Sequence, residues 1–224
     1  MVKFIISEDL RNEYPDLFVP YATISGVQVA TTQTPEFKAR LTDVSEQIRA
    51  KYTLENLKDD ELVRKYRDFF WRLNIDPTKT RPASEALIRR VLSDERPFPK
   101  ISNLVDVYNI VSLKTGIPLA AFDIARISGD VLTLRLATEK EEFVGIGMKK
   151  SKVLQGGETV IADAERLVAI YPYRDADYTK VTLTTKDVAI LLCGAPGVSL
   201  RTLESALDLA VQWIIEFCGG HRSK

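Results

Sequence analysis

Segment 102–123, SNLVDVYNIVSLKTGIPLAAFD, changes its hydrophobic period part-way along. Leu104, Val105, Val107, Tyr108, Val111 and Leu113 recur at helical spacing. Ser102 is placed to open that helix, because its hydroxyl can accept a bond from the first turn. Gly116-Ile117-Pro118 stops it: glycine suits a left-handed cap, and proline has no N–H to continue the ladder. From Leu119 the period falls to two, the mark of strands. The chain therefore turns here from helices to sheet.

Working outward, the residues before this point read as helices preceded by strands. Pro35-Glu36 opens a helix with Phe37, Leu41, Val44, Ile48 and Tyr52 on one face. Asp59 or Asp60 caps the next, with Leu62, Tyr66, Phe69, Phe70 and Leu73 inward. Ser84 is the expected cap of a third, which Pro97 and Pro99 end. Residues 2–7 and the β-branched run 21–30 are expected strands. After the switch, short strands are expected over 131–136, 142–146, 159–162, 167–173 and 188–193, with an amphipathic helix over 200–218. Strands, helices, strands and a last helix predict an α+β fold with a largely antiparallel sheet.

Composition narrows the chemistry. Lys+Arg and Asp+Glu each number 31, so the net charge is zero, which excludes nucleic-acid binding by bulk charge but leaves room for a local basic face. Cys193 and Cys218 are too few for a disulfide framework or a four-cysteine zinc site. The one histidine, His221, lies in the tail GGHRSK, where a solvated, mobile residue is expected. A serine triad, a Cys–His pair and a two-histidine metal site therefore lack a candidate. No metal and no cofactor are expected. No apolar run reaches the length of a membrane span and no signal-peptide pattern opens the chain, so a cytoplasmic protein without membrane contact is expected.

Three polar stretches interrupt the core pattern. In 79–90, KTRPASEALIRR, cations crowd a helix start, where free N–H groups and the dipole favour an anion. The plainer reading is a surface helix with a Glu85–Arg89 pair. In 102–111, Asp106 and Asn109 share one helix face, as a buried hydrogen-bonded pair, as a pocket floor, or as both. In 169–180, AIYPYRDADYTK, a strand runs into a loop bearing Arg174, Asp175, Asp177 and Lys180. Such a loop serves either as a functional lip or as a hydrated turn with ion pairs.

These segments together resemble a known family. NLVDVYNIV (103–111), GIPLAAFD (116–123), ISG (127–129), RLA (135–137) and GETVIAD (157–163) follow the order and spacing of the B3/B4 domain of the phenylalanyl-tRNA synthetase beta subunit. The likeness covers roughly 81–194 and is similar to stand-alone B3/B4 proteins, whose decorations fit 81–87 and 171–180. The resemblance implies one B3/B4-like domain over 1–224. Its parts are N-terminal strands and helices (1–80), the core of the likeness (81–194) and a C-terminal helix (199–218). In the synthetase this domain hydrolyses tyrosine wrongly joined to the phenylalanine tRNA. Its second sieve bonds the phenolic hydroxyl, and a site built for that group leaves polar atoms unpaired around phenylalanine. Asn109 matches the family's T-N step, Tyr108 replaces the threonine before it, and Ala120 stands where the family has histidine.

The resemblance implies a partner, the aminoacylated 3′ end of a tRNA, and a cleft between the Asn109 helix and the loop after Tyr173. Asn109, Asp175 and Asp177 are the expected catalytic residues of a trans-acting editing hydrolase. Tyr108, Ala120, Arg174 and Glu158 are the expected ligand-binding residues, and Arg81, Arg89, Arg90 and Lys180 the expected RNA-binding ones. A non-catalytic tRNA-binding module and an amino-acid-binding protein are the alternatives.

Overall fold

A computed structural model describes residues 2–93 and 97–223; Met1, Lys224 and residues 94–96 lie outside them. The order of the larger elements is β1 (Lys3–Ile6), α1 (Glu8–Glu13), β2 (Tyr21–Ser25), α2 (Pro35–Lys51), α3 (Glu61–Arg72), α4 (Ala83–Ser93), α5 (Asn103–Thr115), β3 (Leu119–Asp123) and β4 (Val131–Leu136). There follow β5 (Glu142–Phe143), β6 (Lys152–Val153), β7 (Thr159–Ala162), β8 (Leu167–Ile170), β9 (Arg174–Asp175), β10 (Asp187–Leu192), α6 (Leu200–Cys218) and β11 (His221–Arg222). The α+β class is as expected.

α5 shows why the switch point holds. Ser102 Oγ accepts from the Val105 N–H at 3.4 Å, and Gly116 ends the helix at φ 74°. A Cβ at Gly116 would sit 3.0 Å from Leu62 Cδ2, so both conformation and space call for glycine. Between the caps the helix is buried on most sides, with Asp106 and Ser112 buried among its apolar residues. Its β-branched residues are modest helix formers, so burial rather than propensity sustains it. α5 packs on α6, α4 and α2, and reaches β3.

Two larger sheets result. One runs β11-β2-β10-β3, all antiparallel, with Val188 opposite Ile24 on one side and Asp123 on the other. The second runs β1-β4-β7-β8-β9. Its edge strand β1 pairs parallel to β4, Lys3 beside Val131, while its other pairs are antiparallel. On β7, Ile161 joins the main core with Ala169 of β8 and Tyr171 beyond it. Val160, Ala162, Leu167 and Ile170 face a second, smaller core with Phe143, Leu154 and Ala176, beside the β5–β6 pair.

Several expected boundaries shift. The strand expected over 21–30 stops at Ser25, because Gly26 turns away at φ 75°. The one expected over 167–173 stops at Ile170, ahead of the cis Tyr171–Pro172 bond. Ser84 is not a cap: α4 begins at Ala83, the Pro82 carbonyl accepts from the Ala86 N–H at 3.0 Å, and Ser84 is buried inside the first turn. The tail is not loose either. His221 and Arg222 pair with Ser25 and Ile24 as β11, although the His221 side chain is exposed.

Candidate functional site

The core-facing side of the five-stranded sheet carries two neighbouring hollows, and Tyr171 stands between them. Tyr171 is fully buried; its hydroxyl donates to the Gly194 carbonyl at 2.7 Å and its ring meets Phe69 edge-on. Tyr66 donates in parallel to the Cys193 carbonyl at 2.7 Å. A Cβ on Gly194 would collide with the Phe18 carbonyl oxygen, so only glycine lets the chain leave β10 at this spot.

The smaller hollow, about 80 Å³, is lined by Ala83, Ala120, Tyr171, Pro172, Asp175 and Cys193, among others. Asp175 is its one acid. The carboxylate makes no hydrogen bond or ion pair with any described residue, and removal from water pushes its pKa up from 3.8 to about 7. Tyr108 and Cys193 feel that charge: burial first, then the Asp175 carboxylate, raises the Tyr108 phenol and the Cys193 thiol above their usual ranges. An acid held near neutrality can take or give a proton at physiological pH, and it offers an unshared acceptor to a cationic amine.

The larger hollow is a cleft of about 490 Å³ between the ends of α1 and α3 and the turn before β7. Glu13, Tyr14, Arg72, Asn74, Lys152, Glu158, Thr159 and Tyr173 face it. Glu158 Oε1 accepts from the Gln155 N–H at 3.1 Å, but Glu158 Oε2 and the neighbouring Thr159 Oγ1 are buried without a partner among the described residues. Leaving a buried polar group unsatisfied costs about 1–3 kcal/mol. Burial raises the Tyr14 phenol to about 12, with Glu13 adding to the rise.

A third feature is an open groove beside α4, about 540 Å³, lined by Leu54, Lys79, Arg81, Ala86, Arg89, Arg90 and Ser93. Under it lies Glu85, 1% exposed, with Arg89 Nε at 2.8 Å, Arg67 at 3.6 Å and Arg81 at 4.0 Å. No group of His, Cys, Asp or Glu suited to a metal ion occurs among the described residues, and no described helix is long and apolar enough to cross a membrane.

The profile of the B3/4 domain matches residues 65–219. The chain belongs to the B3/4 domain family. The phenylalanine–tRNA ligase beta subunit of Vibrio cholerae is 31% identical over 144 residues, covering 54% of this chain and 18% of that protein. The corresponding subunit of Symbiobacterium thermophilum is 39% identical over 90 residues, covering 40% and 10%. The chain thus matches only a small part of these relatives. A crystal structure of an N-terminal fragment of the phenylalanyl-tRNA synthetase beta subunit from Pyrococcus horikoshii superposes with a TM-score of 0.52 at 17% identity, over 99% of this chain and 50% of that one. At that identity the likeness speaks for the B3/4 fold.

Within this B3/4 fold the residues singled out from sequence scatter over the two hollows and the groove, with Asn109, Asp177 and Lys180 outside all three. Ala120, Arg174 and Asp175 line the small hollow, and Tyr108 lies close enough to Asp175 to sense its charge. Ala120 contributes a methyl group to the wall. Asn109 does not line that hollow, and its side chain makes no hydrogen bond with the described residues. Nor does it pair with Asp106, which instead accepts from the Ile101 N–H at 2.9 Å and from Gln33 Nε2 at 2.7 Å. Asp177 holds Lys180 Nζ at 2.7 Å, and Glu158 faces the larger cleft. Arg81, Arg89 and Arg90 share the groove beside α4.

Other motif residues serve the fold. Arg135 grips Glu141 through two bonds at 2.6 and 2.9 Å. Asp123 accepts from the Thr185 hydroxyl at 2.7 Å. Asp163 Oδ2 accepts from the Ser128 N–H and the Tyr178 hydroxyl. Tyr171, Pro172, Cys193 and Thr159 were missed as site residues, because a mostly apolar lining gathered from distant strands leaves no local signature.

Proposed function

We propose that this B3/4 chain binds the aminoacylated 3′ end of a tRNA in the cytoplasm, as one folded unit, and hydrolyses a wrongly attached amino acid. The observation that carries the reading is Asp175: an unpartnered acid on the wall of a small hollow, with its pKa near 7. The hollow is far smaller than the roughly 300–1,000 Å³ of a typical ligand pocket, so it suits the amino-acid side chain and not the nucleotide. In the hydrolytic step Asp175 takes a proton from water, the water oxygen bonds to the ester carbonyl carbon, and the bond to the ribose oxygen breaks. That oxygen leaves as a hydroxyl, taking up the proton. Asp175 is the catalytic group of this scheme. Asn109 acts as a positioning residue through α5 and Tyr108, and Asp177 acts by holding Lys180. Arg174 stands at the rim. Arg81, Arg89, Arg90 and Lys180 hold phosphates of the acceptor stem.

Hydrolysis of a panel of mischarged tRNAs tests this. Wild type is expected to release one amino acid above the spontaneous rate, with a rate that rises toward pH 7. Asp175→Ala should lose about 10²-fold or more, and Asn109→Ala about tenfold or less, as fits an indirect role. No release for any member removes the hydrolase. One observation favours a non-catalytic reading. Ala120 sets a methyl group in the hollow, and the single histidine sits on β11 of the other sheet. Tight tRNA binding without release would select that reading, and stabilisation by a free amino acid alone would select an amino-acid-binding protein.

A further inference from the structure

We infer that the smaller hollow selects a short aliphatic side chain of about three carbons or fewer, and that Ala120 and Cys193 set this limit. The inference rests on the reading above, which places the amino acid and not the nucleotide in that hollow. Its space, about 80 Å³, is about half of the roughly 150 Å³ apolar cavity that takes up a benzene ring. An isopropyl group therefore fits, and the phenol expected from the family resemblance does not.

Backbone pairing holds the walls at that size. Ala120 pairs with Leu191 across β3 and β10, and the Cys193 N–H donates to the Pro118 carbonyl at 2.8 Å. With a period of two along each strand, Pro118, Ala120 and Cys193 stand on one face of that sheet. Ile161 and Ala169, cross-strand partners in the other sheet, line the hollow as well. Tyr171 cannot swing aside to make room. Its N–H donates to the Thr159 carbonyl at 2.9 Å, Gly194 holds its hydroxyl, and its ring lies against Phe69. The same contacts leave the inner wall without a partner for a side-chain hydroxyl. The Tyr171 hydroxyl is committed, the Cys193 carbonyl already takes Tyr66, and the Cys193 thiol is free and buried. Asp175 is the one acid present, and the hydrolytic step occupies it with water. A hydroxyl buried there would lose its bond to solvent and gain none, which favours a hydrocarbon side chain.

NMR titration of the full chain with amino-acid amides tests the limit, since an amide keeps the amine and carbonyl of the ester without its labile bond. L-Alaninamide and L-valinamide should shift the Ala120 methyl resonance. L-Valinamide should bind at least about tenfold more tightly than L-leucinamide or L-tyrosinamide, because one methylene too many in a fixed apolar site is worth about tenfold or more. L-Threoninamide, of equal size, should bind more weakly than L-valinamide. Two variants move the limit in opposite directions, which unfolding cannot do. Cys193→Ala widens the hollow and should bring L-leucinamide level with L-valinamide, whereas Ala120→Val narrows it and should leave L-alaninamide preferred. Binding of no amide, shifts that spare Ala120, a wild-type preference for L-tyrosinamide or L-threoninamide, or an order unchanged in either variant overturns the inference. The mischarged-tRNA panel runs beside it. Release of tyrosine in preference to short aliphatic residues sinks the size limit and leaves the hydrolase. Amide selectivity without release from any tRNA upholds the limit and sinks the hydrolase.

Discussion

Asp175 ties stability to pH in an unusual direction. Its folded pKa, about 7, exceeds the ordinary 3.8, so between those values the native chain holds a proton that the unfolded chain has lost. Stability from this group is therefore full below about pH 4, falls as pH rises, and is lost above about pH 7. Asp175→Asn keeps the shape without the charge. It is expected to add about 1–3 kcal/mol at pH 8, several degrees of Tm for a chain of this size, with the gain shrinking at pH 5. Melting curves at the two pH values check it, and a gain equal at both would mean that the carboxyl is neither desolvated nor alone. Little of this was legible in sequence. The 174–177 run showed charged side chains, but the choice between Asp175, which faces a hollow, and Asp177, which faces Lys180, depends on how β9 pairs with β8.

At the scale of elements, α4 is anchored by an acid that sequence reading placed on the surface. The i,i+4 pair of Glu85 and Arg89 was legible, since helical spacing alone brings them together. That Glu85 is buried was not, because Arg67 comes from α3 and no local pattern announces the contact. Loss of the Glu85 carboxylate leaves guanidiniums that are 22–45% exposed and can hydrate, so Glu85→Ala should cost about 1–3 kcal/mol by denaturant titration. Arg81→Ala, whose guanidinium is 4.0 Å away and 45% exposed, should cost under about 1 kcal/mol. The helix caps follow the same division. Asp60, one of the two candidates read, caps α3, and Ser102 caps α5 as read, because capping is local. α1 went unread, being a helix of six residues without a side-chain cap.

For the whole molecule, zero net charge means that affinity for RNA must come from placed cations. The groove beside α4 collects four of them, yet Arg81 and Arg89 already attend Glu85, and Lys79 has Asp76 at 3.7 Å. Arg90 has no carboxylate partner among the described residues and donates to the Pro97 carbonyl. Arg90→Glu is therefore expected to weaken tRNA binding more than Arg89→Glu does. It should also lower the slope of log affinity against log salt by about one contact. Filter binding at two or more salt concentrations measures both. The fold class was legible at this scale because the period changes at Gly116. The division into two sheets was not, because strand order reflects pairings that no hydrophobic period encodes.

The parallel pairing of β1 with β4 sets a clock on biosynthesis. Lys3 meets Val131, so β1 has no neighbour in its sheet until a partner about 128 residues further along is made. At about 5–20 residues per second that delay is roughly 6–25 s. β2 waits longer still, for β10 and then for β11. Throughout that interval Phe4, Ile5, Ile6, Ala22 and Ile24 have no sheet to join. A nascent chain of this design needs shelter from aggregation before it needs help in folding.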